Sequence, residues 1–398
     1  MKQHIQIKVK PGFVKNFKAG YPLVTEDALI NAKDKQVEGS IIELVDENNR
    51  FLGKGYYGVQ NKGRGWILTK NQQEVFDLDF FKRKMKQAFD KRDSLFNDSE
   101  TTAFRVFNGE GDGIGGFTID TFDGFYVISW YSEGIYQFKK LIGEALTNLL
   151  EVKGLYEKKR FASKGMYVDD NDFISGQEAP SPLLIKENGM NFAVYLNDGA
   201  MVGIFLDQRE VRKVIRDTYA KGKTVLNTFS YTGAFSVAAV LGGASKTTSV
   251  DLANRSKSKT IEQFSVNGID FESQDIIVED VFKYFKYAVR KELTFDMVIL
   301  DPPSFARSKK HTFSAAKDYT DLLTQAIAIT ESNGIIVASS NCSTFSMDKF
   351  KGFIEKAFKQ TGDKYQTLEE YSLPSDFKTI SEFKEGNYLK VVLIKKVS

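Results

Sequence analysis

The stretch TVLNTFSYTGAFSVAAVL, residues 224–241, determines the predicted fold of this chain. Residues 224–229 have the composition of a buried strand, and the apolar segment 234–241 after Gly233 predicts a helix. The same alternation of strand and helix continues on both sides of this stretch. Strands are predicted at 247–250, 276–278, 297–300 and 335–339, and helices at 208–220, 255–267 and 319–332, with Gly334 as the stop signal of the last helix. This alternation predicts a doubly wound parallel α/β sheet.

The composition of the 398 residues excludes several classes of protein. The chain is 42% hydrophobic and 27% charged, with a formal net charge of +3, which is typical of a folded globular protein. No segment approaches the roughly 20 apolar residues that a membrane-spanning helix needs. A single cysteine, Cys342, and two histidines leave no internal disulfide and no expected protein-borne metal site. We therefore predict a location in the reducing cytoplasm, with no membrane partner.

Three domains are predicted along the chain. Residues 1–75 form a small β-rich domain with a hairpin over 40–58, and they hold 12 Lys and Arg against 8 Asp and Glu, a net charge of +4. Residues 76–182 form an α+β domain that begins with a helix at about 78–96. Residues 183–398 form the doubly wound domain, which opens with a hairpin at 183–196. Residues 186–398 have a net charge of +3, so the first and the last segments are the ones that could meet a polyanion.

Acidic residues follow three of the predicted strands. Asp251 ends the second strand, where a carboxylate suits the hydroxyls of a ribose. Asp280 follows the third strand and can accept a hydrogen bond from an adenine amino group. Asp301 ends the fourth strand, and Pro302 and Pro303 after it cannot continue a central strand, so they hold this carboxylate at the mouth of the site. Together the three acids predict an adenosyl ligand without phosphates.

The turn after the first strand supplies further candidates for cofactor binding. Gly233 permits a close backbone approach or an unusual dihedral angle before the helix. The chain lacks the dinucleotide pattern G-x-G-x-x-G and the P-loop pattern, which disfavours NAD and the phosphates of ATP. The cofactor-binding residues predicted in this turn are Asn227, Phe229, Tyr231, Thr232 and Gly233.

The order and spacing of these motifs resemble a class I S-adenosylmethionine-dependent methyltransferase. More narrowly, they resemble the family of ribosomal RNA large subunit methyltransferase I, a cytosine-C5 enzyme of 23S ribosomal RNA. The matching segments are 197–199, 205–209, 226–236, 250–251, 301–305 with 308–309, and 340–343. The resemblance implies a Rossmann-like C-terminal domain, S-adenosylmethionine as cofactor, and 23S rRNA or a large-subunit precursor as partner. It also implies that Gln208, Arg209 and Asp301 contact the cofactor, and that Pro302, Pro303, Phe305 and Lys309 contact the substrate.

The upstream segments carry a similar resemblance. Residues 111–116, followed by Ile119 and Asp120, resemble the central domain of that family. The first domain is similar to a PUA domain, a small RNA-binding β-barrel. Family members often carry His-Pro-Trp near the start of that domain, where this chain has the sequence GYPL at 20–23. RNA binding by the barrel is therefore left open.

Cys342 is the candidate nucleophile that the resemblance implies. Carbon 5 of cytosine reacts poorly with a methyl sulfonium, and a thiolate that adds to C6 converts it into a nucleophilic enamine. Cys342 follows the predicted fifth strand, at the same sheet edge as Asp301, which is expected to hold the N3 or N4 edge of the base. A single cysteine excludes a scheme in which a second cysteine assists release. The alternative is a small buried side chain without a catalytic role.

Two other functions remain open from the sequence. An enzyme that methylates an exocyclic amine, guanine N2 or adenine N6, uses a similar Asp/Asn-Pro-Pro motif, normally followed at once by an aromatic residue. Here Ser304 stands before Phe305. The other possibility is an RNA-binding scaffold with a degenerate site. The oligomeric state, including a homodimer, is also open.

Overall fold

The computed structural model describes residues 4–30, 36–61, 63–161, 172–199, 201–307 and 312–397. The chain divides into two compact units. The first comprises residues 1–185, 194–202 and 375–386, and the second comprises residues 186–193, 203–374 and 387–398. Within the described ranges no helix is both long and apolar enough to cross a membrane.

The first unit begins with a five-stranded sheet. Its elements are β1 (His4–Lys8), α1 (Pro11–Ala19), β2 (Leu23–Thr25), β3 (Ile41–Val45), β4 (Phe51–Gln60) and β5 (Gly63–Thr69). The strand order is β1-β3-β4-β5-β2. Strands β3 and β4 are antiparallel, with Ile41 opposite Tyr56, so the predicted hairpin is confirmed.

A second five-stranded sheet follows in the same unit. Its elements are α2 (Leu78–Asp90), α3 (Asp93–Phe96), β6 (Ala103–Asn108), β7 (Phe117–Phe122), β8 (Phe125–Trp130), α4 (Glu133–Tyr136), α5 (Lys139–Leu149), β9 (Gly154–Lys159) and β10 (Phe173–Gly176). The strand order is β10-β9-β8-β7-β6. The Asp77 carboxylate caps α2 by accepting the N–H of Phe80. One core contains Tyr56 and Trp66 of the first sheet together with Phe81 and Phe117, so the two sheets share their packing.

The rest of the chain builds the seven-stranded sheet that carries the site and two separate two-stranded sheets. Its elements are β11 (Leu183–Glu187), β12 (Met190–Val194), α6 (Arg209–Val214), β13 (Thr224–Thr228), α7 (Ala234–Leu241), β14 (Lys246–Asp251), α8 (Asn254–Ser265), β15 (Asp275–Val278), α9 (Val281–Arg290), β16 (Phe295–Leu300), β17 (Phe305–Arg307), β18 (Thr312–Ser314), α10 (Ala315–Ala328), β19 (Thr330–Ser340), α11 (Met347–Thr361), β20 (Lys364–Tyr371) and β21 (Lys390–Val397). A π-helical segment, Ile215–Tyr219, continues α6. The strands and helices predicted from 208 to 300 are confirmed, and the structure adds α9, which the sequence analysis did not predict.

The seven-stranded sheet has the order β15-β14-β13-β16-β19-β21-β20. The first five strands are mutually parallel, whereas β21 is antiparallel to both of its neighbours. Helices cover both faces because successive residues of the strands point to opposite sides. Leu226 and Val298 belong to the core with α9, α10 and α11, and Val225 and Ile299 belong to the core with α6 and α7. The chain order reverses at β13, where an open α/β sheet binds its ligand.

The prediction that Gly334 stops a helix was wrong. Helix α10 ends at Ala328, and Gly334 lies inside β19. A Cβ atom at this position would stand 2.8 Å from the carbonyl oxygen of Glu331 and 2.7 Å from Cγ2 of Thr330. The glycine therefore serves a close approach of the backbone near the start of β19, and not a helix terminus.

Candidate active site

A cavity of about 340 Å³ lies at the carboxyl ends of the parallel strands. Side chains from the ends of all five contribute to its wall. They are Phe229 and Tyr231 after β13, Asp251 and Leu252 at β14, Asp280, Val281 and Phe282 after β15, Asp301, Pro302 and Pro303 after β16, and Asn341 after β19. The remaining lining residues are Phe205, Asp207, Gln208, Ala306 and Phe313. The three acids predicted from the strand ends thus lie around one cavity.

The turn between β13 and α7 adopts an unusual backbone path. Phe229, Tyr231 and Gly233 all have left-handed backbone angles, with φ of 53°, 51° and 80°. This conformation is costly for bulky side chains, about 1–3 kcal/mol each, and such residues cluster at functional sites. Gly233 is needed for a second reason, because a Cβ atom there would stand 2.6 Å from Cγ2 of Thr260. The expected special role of Gly233 follows from both facts.

Asp251 holds this turn in place. One carboxylate oxygen accepts the backbone N–H of Tyr231 at 2.9 Å, and the other accepts the N–H of Ala253 at 2.8 Å. Asp280 is used similarly, since one of its oxygens caps α9 by accepting the N–H groups of Phe282 and Lys283. Both carboxylates line the cavity and are oriented by the backbone.

Asp301 lies in a polar network at the other side of the cavity. Its Oδ1 accepts hydrogen bonds from Ser339 Oγ at 2.7 Å and from Gln208 Nε2 at 3.1 Å. Gln208 Nε2 also donates to Ser339 Oγ at 2.8 Å, which closes the network. The pKa of Asp301 is raised to about 6, chiefly by burial and also by the nearby Asp207, although these hydrogen bonds and Arg212 oppose the rise. This carboxyl therefore changes its protonation state close to neutral pH.

Two buried side-chain oxygens of this domain, one of them in this network, have no partner among the described residues. They are Gln208 Oε1 and Asn227 Oδ1, on side chains that are 3% and 1% exposed. Gln208 lines the cavity. A buried acceptor without a donor is costly, so an oxygen at the wall of a cavity indicates a ligand that donates to it.

Aromatic rings form the apolar side of the cavity. The rings of Phe229, Phe282 and Phe313 pack together with centroid distances of 5.8–6.4 Å. Phe205 and Tyr231 form a second pair with centroids 5.3 Å apart. Flat apolar walls beside two carboxylates suit a nucleoside.

The remaining predicted residues lie in different surroundings. Arg209 is 2% exposed and pairs with Glu210, Asn227 donates to Ser236, and Thr232 donates to the carbonyl oxygen of Gly203. Phe305 is 62% exposed on β17. In the described part of the chain none of these four is among the cavity-lining residues. Lys309 falls outside the described residues, so its predicted contact with substrate stays a prediction.

Cys342 follows Asn341 immediately, but its thiol is 7% exposed and belongs to the apolar core with α10 and α11. Its Sγ lies 3.1 Å from Thr344 Oγ1. In the described residues the thiol does not line the cavity, and no group of three His, Cys, Asp or Glu side chains could hold a metal ion.

Sequence reasoning missed several lining residues. Ala306 on β17 and Phe313 on β18 lie outside the matching segments, and Phe282 lies on α9, which was not among the predicted helices. Asn341 and Phe205 were part of matching segments without an assigned role. The left-handed backbone angles at Phe229 and Tyr231 could not be predicted from these residue types, because glycine is the residue that usually indicates such a conformation.

Comparison with known proteins identifies the ligand class. The profile of the S-adenosylmethionine-dependent methyltransferases matches residues 161–382. The chain belongs to this methyltransferase family. A PUA-like domain profile matches residues 7–70 of the methyltransferase, as the sequence resemblance suggested.

Individual relatives narrow the relationship. The Bacillus subtilis (strain 168) protein YwbD, provisionally named a ribosomal RNA large subunit methyltransferase, is 59% identical over 98% of this chain and 99% of its own. The ribosomal RNA large subunit methyltransferase I of Aeromonas salmonicida (strain A449) is 30% identical, over 94% of this chain and 95% of its own. The crystal structure of SMU.776, provisionally described as a methyltransferase and complexed with SAH, is 41% identical with a TM-score of 0.91 over 98% of this chain and 100% of its own. The predicted resemblance to the ribosomal RNA large subunit methyltransferase I family is confirmed.

The cofactor of this methyltransferase is S-adenosylmethionine. The cavity fits it, because the molecule carries an adenine, a ribose diol and an ammonium group but no phosphate. Asp251 and Asp280 offer carboxylates for the nucleoside, and the unpartnered Gln208 Oε1 offers an acceptor for a donor such as the ammonium group. When bound, S-adenosylmethionine supplies an electrophilic methyl group.

Proposed function

We propose that this methyltransferase forms 5-methylcytosine in 23S ribosomal RNA, with Cys342 as a covalent nucleophile. The substrate class follows from relatives named ribosomal RNA large subunit methyltransferases that match almost the whole chain. The observation that carries the chemistry is the position of Cys342, one residue beyond the cavity-lining Asn341 and at the same sheet edge as Asp301.

The proposed reaction begins with the thiolate of Cys342. Its sulfur bonds to C6 of the cytosine, the π pair of the C5–C6 bond shifts to form a C4–C5 double bond, and the π pair of the C4–N3 bond moves onto N3, where a proton or hydrogen bond stabilises it. C5 then takes the methyl group, whose bond to the sulfonium sulfur breaks. A base removes the C5 proton, and the returning electron pair restores the double bond and expels the thiolate.

Asp301 is proposed to hold the N3 and N4 edge of the cytosine. Its Oδ1 is occupied by Ser339 and Gln208, whereas Oδ2 accepts no hydrogen bond from any described residue. With a pKa raised to about 6 by burial, the carboxyl can carry a proton to N3 as the adduct forms. Pro302 and Pro303, which line the same wall, restrict the backbone beside it.

The buried position of the thiol adds one requirement. The Cys342 Sγ is hydrogen-bonded to Thr344 Oγ1 and lies in the core. Attack on C6 therefore requires that the segment after β19 turns the thiol toward the cavity when the base enters. The base must also leave its helix or lie in a single strand, since the cavity cannot admit a paired nucleotide.

Mapping of 5-methylcytosine in 23S rRNA by bisulfite sequencing tests this function. We expect one site that is converted in cells lacking the protein, protected again by the wild-type chain, and not protected by Cys342→Ala. Thr344→Val is the matched control, because it perturbs the neighbour of the thiol but keeps the nucleophile. If the deletion strain keeps every cytosine that is protected in the wild-type strain, the proposal is wrong.

One observation favours a second candidate, the methylation of an exocyclic amine. Asp301, Pro302 and Pro303 line the cavity, whereas the Cys342 thiol does not in the described part of the chain. An exocyclic amine needs only an acceptor for its hydrogen and a correctly placed methyl group. This candidate predicts that Cys342→Ala methylates the RNA at the wild-type rate.

A further inference from the structure

We propose that Lys390 is a positioning residue whose ammonium group acts as the counter-ion of the Cys342 thiolate. The inference rests on the proposed function, because it assigns a purpose to a charged nucleophile. It is drawn from a buried cation on β21 that has no part in the proposed reaction steps.

Lys390 lies deep in the fold for a lysine. It is 3% exposed and stands opposite Ser340 in the antiparallel pair of β21 and β19. Opposite residues of such a pair point to the same face. Val392 and Ile394, two and four residues further along, belong to the apolar core that also contains Cys342. Lys390 therefore points toward the side of the sheet on which the thiol lies.

The ammonium group has no carboxylate partner within the described residues. Its Nζ donates to the carbonyl oxygen of Tyr388 at 2.6 Å and lies 5.1 Å from the centroid of the Phe345 ring. The other buried cations of the described chain each have an acidic partner: Lys54 with Glu43, Arg92 with Asp112, Lys158 with Asp172, Arg209 with Glu210, and Arg212 with Glu187.

Cys342 supplies the missing negative charge. Burial lowers the pKa of Lys390, and the interaction with the Cys342 sulfur raises it. A buried charge is seldom left without a partner. Solvent cannot compensate this positive charge, because Lys390 faces the core.

The chain has one cysteine, so a thiol reagent reports on Cys342 alone. The test measures the rate of iodoacetamide alkylation against pH by intact mass, for the wild type, Lys390→Met and Lys390→Arg. Lys395→Met, which removes a charge from the same strand five residues away, is the control. Thermal denaturation first establishes that each variant is folded.

We expect Lys390→Met to slow alkylation at pH 7, because a thiol without its counter-ion ionises less readily. Its profile should move to higher pH while the plateau at high pH stays at the wild-type rate. Lys390→Arg should remain within threefold of the wild type, and Lys395→Met should equal it. A merely structural lysine would change the plateau and leave the position of the profile unchanged.

An unshifted profile for Lys390→Met overturns the inference. If Lys390→Met is unfolded, Lys390→Gln takes its place. These readouts need neither RNA nor cofactor. A shifted profile together with full methylation by Cys342→Ala would retain the Lys390 pair and refute only the proposed reaction.

Discussion

Replacement of Asp251 by alanine is the clearest test of the cofactor site. The carboxylate lines the cavity, and it accepts the N–H groups of Tyr231 and Ala253 at 2.9 and 2.8 Å. Alanine removes the proposed ribose contact and releases the left-handed turn at Tyr231. A hydrogen bond to a charged acceptor contributes about 1.5–3 kcal/mol, so the loss of the ribose contact alone predicts roughly 10- to 150-fold weaker binding.

The assay is calorimetric titration with S-adenosylmethionine, together with urea unfolding. Asp296→Ala is the matched control, because Asp296 also accepts two hydrogen bonds across the sheet, from Thr224 N and Oγ1 at 2.8 and 2.9 Å. Asp296 lies at the amino end of β16, away from the cavity. Both variants should lose stability, but only Asp251→Ala should lose affinity. Affinity within twofold of the wild type for Asp251→Ala, or equal losses in both variants, would refute the assignment.

Three further predictions follow from the same structure. Gly233→Ala should lower the free energy of unfolding by about 1–3 kcal/mol and weaken cofactor binding, since φ is 80° and the new Cβ meets Thr260; unchanged urea unfolding would contradict this. The pKa of Asp301 is about 6 in the folded chain, above the ordinary value of 3.8, because burial favours the protonated carboxyl. The wild type should therefore lose stability relative to Asp301→Asn as pH rises from 4 to 6. An equal difference in the free energy of unfolding between the two proteins at pH 4 and pH 6 would argue against this. Exchanging the exposed Lys8 and Lys15 for Glu should weaken RNA binding and flatten its salt dependence while leaving cofactor affinity unchanged, as filter binding at several salt concentrations would reveal.

Local sequence patterns were sufficient where one residue type permits one conformation. The segment 234–241 is helical at the predicted bounds, Gly233 has the left-handed angle, and the chain leaves the sheet at Asp301 before two prolines. Since the ends of parallel strands meet at one edge, the proximity of Asp251, Asp280 and Asp301 also followed from the sequence.

Features that depend on packing between distant segments were not predictable. The sequence of β21 is a short apolar run flanked by lysines, which does not distinguish a strand from a buried helix, and its antiparallel direction depends on its neighbours. Gly334 was misread because a close backbone approach leaves the same signal as a helix stop. Lys390 carries no signal of burial, as most lysines are exposed.

The candidate site likewise combines residues that the sequence predicted with contacts that only the folded chain shows. Gln208 belongs to a motif, but the unpartnered oxygen that makes it a binding residue exists only in the folded network with Asp301 and Ser339. Cys342 was predicted from chemistry, and the structure adds that its thiol lies in the core beside Thr344. The proposed nucleophilic role therefore requires a movement of the thiol toward the cavity.

The most direct measurement of that role uses RNA with 5-fluorocytosine at the target position. Fluorine cannot leave C5 as a proton, so a methylated adduct through Cys342 cannot release the enzyme. The account predicts a protein–RNA complex that survives denaturing electrophoresis, forms only with S-adenosylmethionine, and is absent with Cys342→Ala. Absence of the complex with the wild-type chain, or RNA methylation by Cys342→Ala at a comparable rate, would contradict it.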